Sequence, residues 1–355
     1  LQLCLPEFAS HLQQSLRRAK PERGFYLPEV IKNHRIFGPL ANDILSETFA
    51  FYEEMTKAGI PGEDARYPLP LYTKTNIQTA LNARELCHLF IMSSKYDIPS
   101  VVRSVIVDML FLAKKRAPYL FEDFGANYEQ LAWYPSSQLY TENNKTMMEL
   151  IGMSNVNHNV VMLGQPILNK AITTETLREA VRNRNEAELA NLKHVHFEFL
   201  AKMSLACFHQ ATRQRTWNQS VESVYDAARR GHMFIPESVR ISNFANRYSF
   251  LHWKLVGLYE EMTQNGIPKQ EAIGVIPHSL MVYDWIHVNG WNAIHAIGKR
   301  TCTKAQLEIR KIALKMAEYI EAVAPIFQGY VEPQCVTYGK CPEKDSCGYN
   351  EKTRD

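Results

Sequence analysis

The chain has 355 residues, 46% of them hydrophobic and 22% charged, with a formal net charge of +3. That composition suits a globular chain of about two domains and excludes a disordered or collagen-like one. The charge is too small to draw nucleic acid by bulk electrostatics, and no apolar run reaches the roughly 20 residues of a membrane span, so neither partner is expected.

No leader-like segment is expected at Leu1, and the seven cysteines, with Cys4, Cys87, Cys207 and Cys302 each alone in apolar surroundings, read as buried reduced thiols of a cytoplasmic protein. Further on, "AGIPGEDARYPLP" is a loop punctuated by Gly and Pro. The run Val101 to Lys115 is apolar on nearly every side and predicts a helix buried between halves or subunits. Polar and aromatic without a period, "NYEQLAWYPSSQLYTENNKT" reads as a linker, placed at 127–159. In "HVHFEFLAKMSLACFHQ", His196 and Glu198 alternate with Val195, Phe197 and Phe199, which predicts a strand running toward the anion-binding cluster "HQATRQRTWNQSVES". A second loop, "NGIPKQEAIGVIP", precedes a helix that sets Ile309, Ile312, Ala313, Met316 and Ile320 on one face and ends at Pro325. Tyr52, Trp253 and Tyr259 fall at core-like helix positions. The tail cysteines Cys335, Cys341 and Cys347 lack a close Cys-x-x-Cys pair and a fourth ligand, so no metal is expected there.

The chain repeats itself. "YEEMTKAGIP" at Tyr52 returns as "YEEMTQNGIP" at Tyr259, an offset of 207 residues that also relates Leu69-Pro70 to Ile276-Pro277, Asn82 to Asn289, His88 to His295 and Ala117-Pro118 to Ala324-Pro325. With one residue of slippage, "GFYLPEVI" mirrors "HMFIPESV" and Ser15 falls opposite Ser223. So long a period means a duplicated domain, a dimer fused into one chain, and not a solenoid. The expected boundaries are 1–126 for a first copy lacking the front part of the unit, 127–159 for the linker, and 160–355 for a complete second copy with its cysteine tail.

The order of strand, "HQATRQR", seven residues, Ser223, "FIPESVR", "YEEMTQNGIP" and a helix ending in "APIF" resembles the flavin-dependent thymidylate synthases, whose hallmark is Arg-His-Arg, seven residues and Ser after a His-Gln on a strand. Here the triplet reads Arg213-Gln214-Arg215, with Gln214 in place of the family's His. "GIPGEDARYPLP" followed by "NARELCHLF", and the tail "CVTYGKCPEKDSCG", carry the same resemblance into the first copy and the C-terminal segment. The resemblance implies an α+β unit with a twisted sheet and long helices, present twice as a pseudo-dimer. It also implies FAD, with NADPH and methylenetetrahydrofolate as co-substrates, reductive methylation of dUMP, and a homodimer of two-copy chains mimicking the family's tetramer.

Carried over residue by residue, the resemblance gives Arg300 the uracil-polarising role, which falls on Ser93 in the first copy. Gln210 and Arg213 match nucleotide ligands from one subunit; Ser15, Arg17 and Arg66 match those from a second, where the other copy has Ser223, Tyr225 and Ile273. Leu5 and Glu7 stand where the first copy's triplet arginines belong. The losses are complementary, and arginines rather than neutral groups can hold a phosphate dianion, so one composite site is expected and its reciprocal is expected dead. Arg213, Gln214, Arg215, Asn82, Arg84, His88, Asn289, His295 and His194 (or His196) match the flavin side, with Trp291 replacing an arginine. Structural alternatives stand beside these: Ser15 as a helix cap, Arg66 paired with Glu63 or Asp64, and His88 and His295 as core histidines. Gln214 leaves open a related one-carbon transfer to another uracil nucleotide, and erosion of both copies leaves open a non-catalytic flavin- or nucleotide-binding paralogue.

Overall fold

A computed structural model describes residues 9–16, 19–94, 98–122, 160–163, 173–183 and 185–349. The linker, Arg17, Leu5 and Glu7 lie outside the described residues. The strands are β1 Ala9–Gln13, β2 Ile77–Leu81, β3 Val160–Met162, β4 His196–Ser204, β5 Asn218–Val221 and β6 Met281–Asn289. The longer helices are α1 Phe37–Lys57, α2 Ala83–Ser93, α3 Ser100–Arg116, α4 Thr174–Asn183, α5 Ala245–Gln264 and α6 Leu307–Val323. The fold therefore mixes helices with antiparallel sheet, and no described helix is long and apolar enough to cross a membrane.

The offset seen in the sequence orders the secondary structure. Helix α1 answers to α5, α3 to α6, and the short helices Glu29–Lys32 and Gly62–Ala65 to Glu237–Arg240 and Lys269–Ala272. Each segment read as a Gly/Pro loop thus contains a short helix begun after a proline (Pro61, Pro268), and the second continues into a 3-10 turn at Ile273–Val275. Even strand register is kept: Ser10 faces Ala80 in β1–β2, and the equivalent Asn218 faces His287 in β5–β6.

Two compact units form, and they cut across the repeats. The first gathers the described part of the first repeat with Ser204–Ala206 and Ser223–Met281. In it α1 and α5 pack together, because each lays an apolar stripe at helical spacing: Ile44, Leu45, Phe51, Tyr52 and Met55 on one, Tyr248, Leu251, Leu255, Tyr259 and Met262 on the other. Burial of each large side chain contributes about 1.5–3 kcal/mol. Trp253, expected in the core, instead lies 53% exposed, since the buried stripe of α5 runs through its neighbours His252 and Val256.

Beside these helices the repeats are joined by reciprocal backbone bonds. Leu71 N–H donates to the Ile276 carbonyl (2.9 Å) and His278 N–H to the Leu69 carbonyl (3.0 Å); Tyr72 N–H donates to Gly274 and Ser279 N–H to Tyr67, both at 2.9 Å. At the 207-residue offset each pair is one bond made in both directions, and the bridge Pro70 to Pro277 joins equivalent residues. Lys254 Nζ meets Glu47 Oε2 at 2.7 Å, again at equivalent positions. Tyr72 fills the space that Gly274 leaves: a Cβ there would lie 2.1 Å from its ring. Two buried histidines are kept neutral. Burial pushes His252 down to about 4, where Ser279 and Gly231 satisfy its two nitrogens, and His278 down to about 4, bonded to the Leu69 carbonyl.

Within the single chain, helix α3 is largely uncovered. Of its apolar residues only Ile106 is buried, while Val105, Val107, Phe111 and Leu112 are exposed. Its counterpart α6 buries Ile309, Ile312, Ala313, Met316 and Ile320 because it contacts β3 in the second unit. Cys207 and Cys335 are buried, but Cys87 and Cys302 are only half-buried; Cys4 lies outside the described residues.

The second unit is built on a four-stranded sheet in the order β3-β4-β6-β5. Asp284 is fully buried on β6, where Gln219 donates to its Oδ2 at 2.6 Å; burial pushes its carboxyl up to about 7.

Candidate functional site

Strand β4 leads straight into the helix Leu205–Ala211, so His209 and Gln210 lie on a helix and not, as expected, on the strand. The chain then turns through Arg213, Gln214 and Arg215 into β5, held by Gln214 N–H to the Ala211 carbonyl (2.8 Å) and Trp217 N–H to the Gln214 carbonyl (3.0 Å). Both triplet arginines are exposed and Gln214 is half-buried between them.

Arg300 comes from a helix that is not regular. After β6, Asn289 caps the short helix Gly290–Asn292 by accepting from Asn292 N–H at 2.9 Å. A π-helical segment follows at Ala293–Ile297, and then the helix Gly298–Thr301. The equivalent α2 is an unbroken α-helix, so the wide turn belongs to the second repeat alone, and such insertions recur at functional sites. From this helix Arg300 reaches back to the turn. Its Nη2 donates to the Gln210 carbonyl at 2.9 Å, and the Gln214 amide oxygen, oriented as the donors around it require, accepts from Nε at 3.0 Å and Nη2 at 2.9 Å. Gln210 in turn donates through Nε2 to Gln306, which is 1% exposed at the start of α6.

Gln210, Gln214 and Arg300 are therefore brought together, and Gln306, which sequence reasoning missed, supports them. Its signal was faint: a lone polar residue ahead of an apolar helix, with Pro99 at the equivalent place. The single Gln214 amide oxygen takes two converging N–H bonds from one guanidinium, which fixes its orientation.

On the flavin side, His295 lies exposed with Nδ1 3.3 Å from Gln334 Nε2, its pKa lowered by partial burial and by Lys299. Lys193 sits over the Trp291 ring at 5.1 Å. His194 is exposed; His196 stacks on His287, and partial burial followed by its histidine neighbours lowers its pKa. In the first unit Asn82 accepts from Glu85 N–H at 2.9 Å, the same capping role as Asn289, and His88 Nδ1 stands 3.6 Å from Glu85. Arg84 is exposed. Ser93 is buried, its hydroxyl turned back to the Phe90 carbonyl at 2.6 Å.

Among the nucleotide candidates of that unit, Arg66 donates from Nε to the Glu63 carbonyl (3.3 Å) and lies over Tyr67, while Asp64 accepts from Ser238. Ser15 is half-buried, its carbonyl accepting from Ala19 N–H at 2.8 Å. Ser223 opens the helix Val224–Arg230 without a side-chain cap bond, and Lys269 covers Tyr225. As for groups that could hold a cofactor, Arg213 and Arg215 offer two cations on one turn, a donor set that fits a pyrophosphate, and the buried Trp217 indole N–H has no partner among the described residues. Among the described residues no three or more His, Cys, Asp or Glu are grouped so that they could hold a metal ion. The Cys335 thiol is nonetheless pushed up by burial and then by Cys341, Cys302 and Cys347 around it.

A family model described as thymidylate synthase complementing protein matches residues 3–119 and 136–326, one stretch on each repeat. The chain is similar to a flavin-dependent thymidylate synthase of Pyrococcus furiosus, 31% identical over 180 residues that make up 46% of this chain and 72% of that protein. It is also similar to one of Geobacter sulfurreducens, 30% identical over 163 residues, 44% of this chain and 70% of that protein.

Proposed function

The chain belongs to the family of thymidylate synthase complementing proteins, and from that premise we propose that it is an FAD-dependent methyltransferase that converts dUMP to dTMP. Methylenetetrahydrofolate supplies the carbon and NADPH the reducing equivalents. The bound flavin supplies the hydride chemistry. The chain's own groups do the rest: Arg300 polarises the uracil, Gln214 and the Gln210 carbonyl fix its guanidinium in one orientation, and Arg213 and Arg215 hold anionic ligands. A preorganised cation aimed at developing charge is the largest kind of term such a site can offer.

The observation that supports this most is the Arg300 fork, built in the second repeat and replaced in the first by a buried Ser93. One working site per chain follows, composed of Gln210, Arg213, Arg215 and Arg300 from the second repeat and Ser15, Arg17 and Arg66 from the first. The reciprocal backbone bonds between the repeats support a pseudo-dimer in one chain. The exposed apolar residues of α3 support a homodimer of such chains, and the free thiols suit a cytoplasmic protein. Gln214, neutral where the family's His can carry charge, favours one second reading: a related uracil nucleotide or one-carbon product. Purified protein reconstituted with FAD should oxidise NADPH and form dTMP when given dUMP and methylenetetrahydrofolate. Product from UMP alone, or a product other than dTMP from dUMP, selects the second reading, and a colourless protein that ignores dUMP, UMP and dCMP ends both.

A further inference from the structure

The tail cysteines, which sequence spacing left without a fourth partner, meet one in the fold. Cys302, just past the helix that carries Arg300, lines one cavity with Cys335, Cys341 and Cys347. All four are free thiols of the second unit. One of them has the backbone setting of a metal-binding knuckle: the N–H of Lys304, two residues beyond Cys302, points to its Sγ at 3.5 Å. Gly348 between Cys347 and Tyr349 takes φ 72°, a left-handed turn that only glycine adopts without cost. The Thr303 hydroxyl donates to Cys347 Sγ at 2.8 Å, which ties Cys347 to the turn that carries Cys302. Donation to sulfur of this kind orients thiolates toward a metal and offsets their charge. Lys299 and Lys304 line the same cavity with Glu343, and the excess of cationic side chains suits the net negative charge that four thiolates leave on a divalent ion.

We propose that Cys302, Cys335, Cys341 and Cys347 form a tetrathiolate site for a thiophilic divalent cation of the zinc class, which fastens the C-terminal segment to the turn that follows Arg300. Four like thiolates in tetrahedral array are the pattern of closed, structural zinc sites, with Zn–S near about 2.3 Å. Among the described residues no three such groups stand close enough to hold an ion as they are, so the proposal requires the four sulfurs to close together when the ion binds. The four thiol protons go to solvent, and no oxidation step is involved. The site is confined to the second repeat: the position equivalent to Cys302 is Lys95. It stands independently of any flavin chemistry.

Metal analysis of the full chain, expressed with zinc and dialysed against a weak chelator, should find one zinc ion per chain. Cobalt exchanged into the wild-type chain should give a thiolate-to-cobalt charge-transfer band and intense tetrahedral d–d bands. Cys347→Ser, at an exposed position, should weaken zinc binding roughly tenfold or more and diminish the charge-transfer band, as should Cys302→Ser. Wild-type chain without zinc and with four alkylatable thiols overturns the proposal, as does the mass of a disulfide between any two of them. Zinc retained undiminished by both variants also overturns it.

Discussion

The two repeats share a scaffold and differ where chemistry is expected. Helix α2 runs unbroken to a buried Ser93 whose hydroxyl bonds its own helix, whereas the equivalent segment of the second repeat widens into a π-turn and delivers Arg300 to Gln214 and Gln210. Nearby, α3 leaves Phe111 and Leu112 exposed, while α6 is covered in part by β3. A duplicated domain can therefore keep its paired helices at a constant offset and still differ in the one segment on which the proposed function places Arg300.

The largest test of that division is Arg300→Ala beside Ser93→Ala. Removing the guanidinium should lower dTMP formation by roughly 10²–10³-fold or more, while the serine variant stays near wild type in steady-state assays. Equal effects would erase the distinction. Next comes Gln214→Leu, which removes the fork acceptor and leaves the guanidinium to swing. With hydrogen bonds to charged groups at about 1.5–3 kcal/mol, kcat should fall roughly ten- to a hundredfold with flavin still bound. Unchanged kcat would show that Arg300 needs no such positioning.

Stability should separate the two units by pH in opposite directions. His252 and His278, of the first unit, have folded pKa values of about 4 against 6.5 when unfolded. Their stability is present above about 6.5 and lost as pH falls toward 4, about 3 kcal/mol for each at 1.36 kcal/mol per unit. Asp284, of the second unit, is raised from 3.8 to about 7. Its contribution is complete below about 4 and is lost as pH rises through 7, about 4 kcal/mol in all. Asp284→Asn keeps an acceptor for Gln219, so at pH 8 it should raise the denaturation midpoint of the second unit. No gain there would mean that burial does not raise the Asp284 pKa in the folded chain.

The smallest effect probes how the repeats choose each other. Glu47 and Lys254 are equivalent positions with opposite charges, and the large Tyr72 stands against the small Gly274. Two copies of either repeat would set like charges together at the first place, and a first-repeat pair would crowd Tyr72 against Tyr67 at the second. Lys254→Glu should cost about 1 kcal/mol in urea unfolding, since both side chains are about a third exposed, and Glu47→Lys in the same chain should restore it. Absence of rescue would leave the pair without a role in pairing.

Much of this was legible in the sequence. The 207-residue offset places helices, strands and strand register, and Arg300 against Ser93 can be read directly from it. The rest depends on three-dimensional neighbours that local pattern does not carry. Gln306 matters because it meets Gln210 across ninety-six residues of chain, and Cys302 joins a cysteine cavity from outside the tail. The π-turn has no composition signature, since Ala293–Ile297 reads as ordinary apolar helix. Exposure of α3 follows from what its counterpart packs against, not from its own residues.

Nucleotide stoichiometry tests the division between repeats most directly. Calorimetric titration of the FAD-loaded chain with dUMP should give one site per chain, abolished by Arg300→Ala and untouched by Ser93→Ala. Two equivalent sites per chain, or a single site that survives loss of Arg300, would contradict it.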